Sequence, residues 1–131
     1  VMEQTIIYNH ACLESAIQSS HDPEQQLKEL IRAELQAISG DTGSAMAVLV
    51  YEWFALSPEN QQKLLKLRND YEAIWLNVIQ TLHDQGKIKH DPFIWRRLIG
   101  GSIAWTVTWY NVDGKLSLNQ LTNIVWDMAV I

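Results

Sequence analysis

Two His-Asp pairs, His83-Asp84 and His90-Asp91, are the residues in this chain best suited by type to acid-base or metal chemistry. Their neighbours give them other work. Gly86 places the first pair at the end of a helix, where histidine complements the negative C-terminal dipole. Pro92 places the second at a helix start, where Asp91 caps exposed amides. His10, Cys12 and Glu14 alternate by two, a spacing that sends helical side chains to different faces rather than around an ion. There is no G-x-S-x-G elbow and no glycine-rich phosphate loop. The residues therefore predict no catalytic group, no metal site and no cofactor. What stands out instead is aromatic: six Trp and four Tyr. Tyr51, Trp53, Tyr71, Trp75, Trp105 and Trp109 fall on the segments expected to line the middle of the fold, where such rings suit a packed core and an apolar ligand pocket alike.

The elements that must position these rings are helices. Val1 to Gln18 carries Ile6, Ile7, Leu13 and Ile17 with no N-cap ahead of them, so the chain is expected to start inside or just before a helix whose upstream portion has been removed. Ser19-Ser20-His21 ends it. Asp22-Pro23-Glu24 starts the second helix, with Leu27, Leu30, Ile31, Leu35 and Ile38 on one face. Gly40 to Gly43 breaks the pattern, and a third helix is expected over Ser44 to Ala55, grouping Met46, Leu49, Val50, Trp53 and Phe54. Ser57-Pro58-Glu59 opens the longest helix, which nothing interrupts before Gly86. Its stripe is Leu64, Leu67, Tyr71, Ile74, Trp75, Val78 and Leu82, with Glu59, Lys63, Lys66, Asn69, Asp70 and Glu72 expected to stay wet. A fifth helix is expected from Asp91 to about Tyr110. After an Asp113-Gly114 turn, Ser117 to Gln120 restarts a sixth with a capping-box pattern.

That sixth helix is apolar around nearly its whole circumference, which predicts burial on two sides, the second against another subunit. Gly101, Ala104 and Thr108 share a face of the fifth helix and leave room for close approach. At 131 residues and 47% hydrophobic, the chain is one all-α domain. A net charge of −5 argues against this surface gripping nucleic acid. The lone Cys12 points to a reducing cytoplasm and reads as a small core residue, and no apolar run is long enough to span a membrane.

Three motifs carry a resemblance that covers nearly the whole chain in helix order. They are Asp22-Pro23-Glu24 followed by Leu27 and Ile31, the Trp53-to-Glu59 corner with Arg68 to Tyr71 beyond it, and the Gly101-to-Ser117 hairpin with its W-x-x-x-W-Y run. Together they resemble the C-terminal effector-binding and dimerisation domain of TetR-family transcriptional regulators. The resemblance implies a six-helix domain whose last two helices form an intersubunit four-helix bundle, with no enzymatic activity. It implies a homodimer in the cytoplasm, off the membrane. Operator DNA would be bound only through an N-terminal helix-turn-helix missing here, to which residues 1–19 would be the linker helix. A hydrophobic effector between linker and long helix would tilt the linker, a coupling typically worth about 1–3 kcal/mol.

The nearest branch answers to acyl or steroid-derived CoA thioesters, although Ala104 stands where that branch often has Asn. The expected ligand-binding residues are His10, Met46, Trp53, Tyr71, Trp75, Trp105 and Trp109. The expected dimer interface is Arg97, Gly101, Ala104, Thr108, Leu121, Val125 and Met128. The alternative is a stand-alone helical interaction or scaffold domain with a filled centre and no small-molecule ligand.

Overall fold

The computed structural model describes residues 2–39, 55–111 and 113–130, and every regular element among them is helical. The helices are α1 (Met2–Gln18), α2 (Pro23–Ser39), α3 (Pro58–Asp84), α4 (Pro92–Trp105) and α5 (Leu118–Ala129). Apart from Ala55, the helix expected over residues 44–55 lies outside the described residues.

Local chemistry sets the boundaries. Ser57 caps α3 by accepting from the Asn60 amide, and Asp91 caps α4 by accepting from Phe93 and Ile94. Ser117 and Gln120 close a reciprocal capping box at α5. At the end of α3 the Gly86 amide donates to His83 and the Lys87 amide to Leu82, a wrapping turn that needs the left-handed backbone Gly86 supplies at φ +77°. His83 shares a 2.8 Å hydrogen bond with the Ile88 carbonyl, so it closes this turn.

Helix α2 is the hub, touching α1, α3, α4 and α5. Its expected face is the core: Leu27, Leu30, Ile31 and Leu35 are fully buried, and each such side chain contributes about 1.5–3 kcal/mol relative to exposure. Leu13 of α1, Trp75, Ile79 and Leu82 of α3, and Ile103 of α4 complete the centre.

Two details differ from the sequence reading. Glu72 is only partly exposed on α3, because it pairs with Arg96 at 2.7 Å. The helix expected to reach Tyr110 ends as α-helix at Trp105, and a 3-10 turn follows over Thr106–Thr108. The physical reason lies in the Thr-Val-Thr run. Thr106 and Thr108 hydroxyls donate to the carbonyls three residues back, at 2.6 and 2.7 Å, in competition with the α-helical ladder. Thr108 and Trp109 therefore leave the helical register. The hairpin is closed by Tyr110, whose hydroxyl donates to the Leu116 carbonyl, and by Trp95, whose indole donates to Ala129 at 3.0 Å.

Candidate functional site

Beneath the middle of α4 lies a polar cluster inside an otherwise apolar core. Arg96 reaches from α4 to Glu34 on α2 and Glu72 on α3, with hydrogen bonds of 2.7 to 3.1 Å that use both oxygens of each carboxylate. Side-chain exposure is 8% for Arg96, 13% for Glu34 and 30% for Glu72. The guanidinium lies 4.0 Å from the centre of the Trp75 ring, so its flat face is covered while its edge is forked. Gly100 makes this possible: a Cβ there would sit 2.9 Å from an Arg96 terminal nitrogen.

Burial, the largest influence, pushes the Glu34 carboxyl above its ordinary range, and the charge and hydrogen bonds of Arg96 pull it partly back. Burial opposes the Arg96 charge too, but the two glutamates outweigh it and hold the proton more firmly than usual. Tyr71 is pushed well above the usual phenol range, first by burial and then by the Glu34 charge, so it stays protonated.

Trp75 is fully buried, and its indole nitrogen has no hydrogen-bond partner among the described residues. The Tyr71 phenol lies close enough to feel it, but the pair falls short of hydrogen-bond geometry. On α1, which packs along α3, Asn9 is also buried, its side-chain oxygen unpartnered among the described residues. An orphaned buried donor or acceptor costs about 1–3 kcal/mol.

Of the expected ligand residues, the structure thus brings Tyr71 and Trp75 together. His10 is half-buried on α1 and pairs with Glu14 at 3.0 Å. Trp105 and Trp109 stand apart on the surface, 67% and 56% exposed. Met46 and Trp53 lie outside the described residues. Sequence reasoning missed Asn9, Glu34, Glu72 and Arg96. The only available signal was Arg96 itself, which sits between Trp95 and the Gly100-Gly101 pair.

The second candidate surface is the outer face of the α4–α5 hairpin. Ile94, Leu98 (70% exposed), Trp105, Ile124 and Met128 (84% exposed) are all in the open. Arg97, Gly101, Ala104 and Thr108 are exposed among them, and the space beside Gly101 is empty. Leu121 faces inward and is buried in its own protomer's core, while Val125 is half-buried against that core. No three His, Cys, Asp or Glu side chains cluster as metal ligands among the described residues, and none of the described helices is long and apolar enough to cross a membrane.

Fold and site define an all-helical domain whose buried polar cluster underlies an exposed apolar hairpin. It belongs to the Tetracyclin repressor-like, C-terminal domain family, whose model matches residues 20–130. The structure of PfiT, described as a superantigen, is 43% identical with a TM-score of 0.87, covering 98% of this chain and 69% of that one. The ketosteroid transcriptional regulator KstR2 of Mycobacterium tuberculosis shares the fold at 19% identity and TM-score 0.79, covering 97% of this chain and 68% of its own. AibR, solved with isovaleryl coenzyme A and operator DNA, shares it at 17% identity and TM-score 0.76, covering 97% and 71%. No curated protein matches the sequence.

Proposed function

We propose that this chain is the effector-sensing and dimerisation domain of a TetR-like transcriptional regulator, with no enzymatic role of its own. A hydrophobic small molecule enters the interior beside Trp75, and α1 acts as the linker that passes the change to a DNA-binding head. The observation that carries this reading is the pair of unpartnered buried atoms, Trp75 Nε1 on α3 and Asn9 Oδ1 on α1. They lie on two helices that pack on each other and whose relative tilt must respond, and a ligand offers an acceptor to the first or a donor to the second. AibR, bound to an acyl-CoA, supports a thioester-type effector by likeness of fold. Trp105 and Trp109 belong in this reading to the dimer face rather than the pocket, beside Gly101, Ala104 and Met128. The chain works in the cytoplasm as a homodimer.

Titration of the purified chain with acyl thioesters, fatty acids and sterol-like compounds tests the proposal through tryptophan emission and thermal shift. A ligand at a hundred times its dissociation constant stabilises the fold by about 2.7 kcal/mol, and Trp75→Phe, which keeps an aromatic ring but removes the indole N–H along with part of the ring volume, weakens that response. If the whole panel gives neither quenching nor shift, the scaffold alternative stands instead. The identity to PfiT supports a second reading, in which a surface of this domain also stimulates T cells. Purified chain that leaves T-cell proliferation at background removes it.

A further inference from the structure

We infer that the pocket between α3 and α4 holds the anionic end of an amphipathic ligand, a carboxylate or phosphate, through Arg68 and Arg97. The inference rests on the effector-sensing reading above and adds to it the chemical class of the effector. The pocket is an open cleft of about 510 Å³, with Arg68, Asn69, Ala73 and Leu76 on one wall and Phe93 and Arg97 on the other.

Of the chain's four arginines, Arg96 is saturated by two carboxylates and Arg32 donates to Asn119 at 2.9 Å. Arg68 and Arg97 have no carboxylate within ion-pair reach among the described residues, in a chain of net charge −5, and both line this one pocket. Arg97 stacks its guanidinium 3.7 Å from the centre of the Phe93 ring, which leaves its N–H edge to fork an oxyanion. Glu34 and Glu72 at the floor would repel an anion, but all four of their oxygens already accept from Arg96. The lining therefore sets three arginines against two glutamates. Ala73, Leu76 and Phe93 supply the apolar wall that an alkyl tail needs, so the chemistry favours an anion with a hydrophobic body over a bare ion.

Calorimetric titration of the wild-type chain and of Arg68→Ala/Arg97→Ala with octanoate, octyl phosphate and octanol tests this. At least one anion is expected to bind about tenfold more tightly than octanol, and the double variant is expected to lose that advantage. Whichever anion binds more tightly identifies the head group. Equal affinity for all three overturns the anion site while leaving a hydrophobic effector standing. Binding of none overturns this inference, while the effector reading is then decided by its own larger panel. Light scattering on the double variant supplies a further check: a dimer that falls apart assigns the arginines to the interface and overturns the proposal. Should the alanine variant lose its helical circular dichroism, Arg68→Gln/Arg97→Gln replaces it with the same expected outcomes.

Discussion

Arg96→Met removes the cation from the buried cluster while keeping an apolar stem against Trp75. In wild type, the guanidinium is the only described partner of the Glu34 carboxylate. Removing one member of a buried ion pair costs about 3–5 kcal/mol, because the remaining charge is left in low dielectric. Glu72 is partly exposed and can turn toward water, so the cost falls mainly on Glu34 and the lower figure, about 3 kcal/mol, applies. For a domain of this size that lowers the melting temperature by about 10 °C.

The deficit must also depend on pH. The folded Glu34 carboxyl titrates above its ordinary value of 4.5, so its contribution to stability is fully present below that pH and is lost as pH rises through the folded value. Without Arg96 the two influences that lower the folded value disappear, and the window extends upward. The gap between wild type and Arg96→Met is therefore small near pH 4.5 and widens toward neutrality. Urea unfolding followed by tryptophan emission, at matched protein concentration because the proposed dimerisation would contribute to apparent stability, measures that gap. Adding Glu34→Gln to the variant should recover most of the loss at neutral pH. A deficit under about 1 kcal/mol, or one that stays constant across this pH range, would refute the idea that Arg96 neutralises a buried carboxylate.

Gly100→Ala should destabilise the protomer by about 1–2 kcal/mol in the same unfolding assay, since overpacking against Arg96 exceeds the gain in helix propensity. Its neighbour behaves differently: Gly101→Arg has open space, so circular dichroism should stay unchanged while light scattering shows loss of the dimer. Leu98→Glu, which puts a charge at the centre of the exposed apolar face, should likewise give a folded monomer at micromolar concentration. In gel shift at low salt, this 131-residue chain should show no sequence-dependent binding to duplex DNA, because its charge of −5 opposes contact with phosphates. Tight binding to one duplex over another would place a DNA-reading surface on this domain.

Much of the fold is legible along the chain because its signals are local. Asp22-Pro23, Ser57-Pro58, Asp91-Pro92 and the Ser117 box start helices through hydrogen bonds spanning two or three residues, and Gly86 stops one through a backbone angle. The core face of α2 follows from apolar residues at spacings of three and four. The apolar pattern of α5 likewise leads to an expected second covered side, and in the structure Ile124 and Met128 are exposed on it.

The candidate site was decided elsewhere. Glu34 and Arg96 are 62 positions apart, and Glu72 is 24 from Arg96, so no spacing rule joins them. On its own helix each reads as a solvated charge, and only the packing of α4 over α2 and α3 brings the three together, buries Arg96 and most of Glu34, and repays that desolvation through their pairing. The same holds for Asn9 and Trp75, which look like an ordinary polar and an ordinary core residue. Their missing partners become visible only once the surrounding side chains are in place. Trp105 and Trp109 went the other way. A hydrophobic period says that a ring wants cover, but which body provides it, the same chain or another, depends on the space that the tertiary structure leaves.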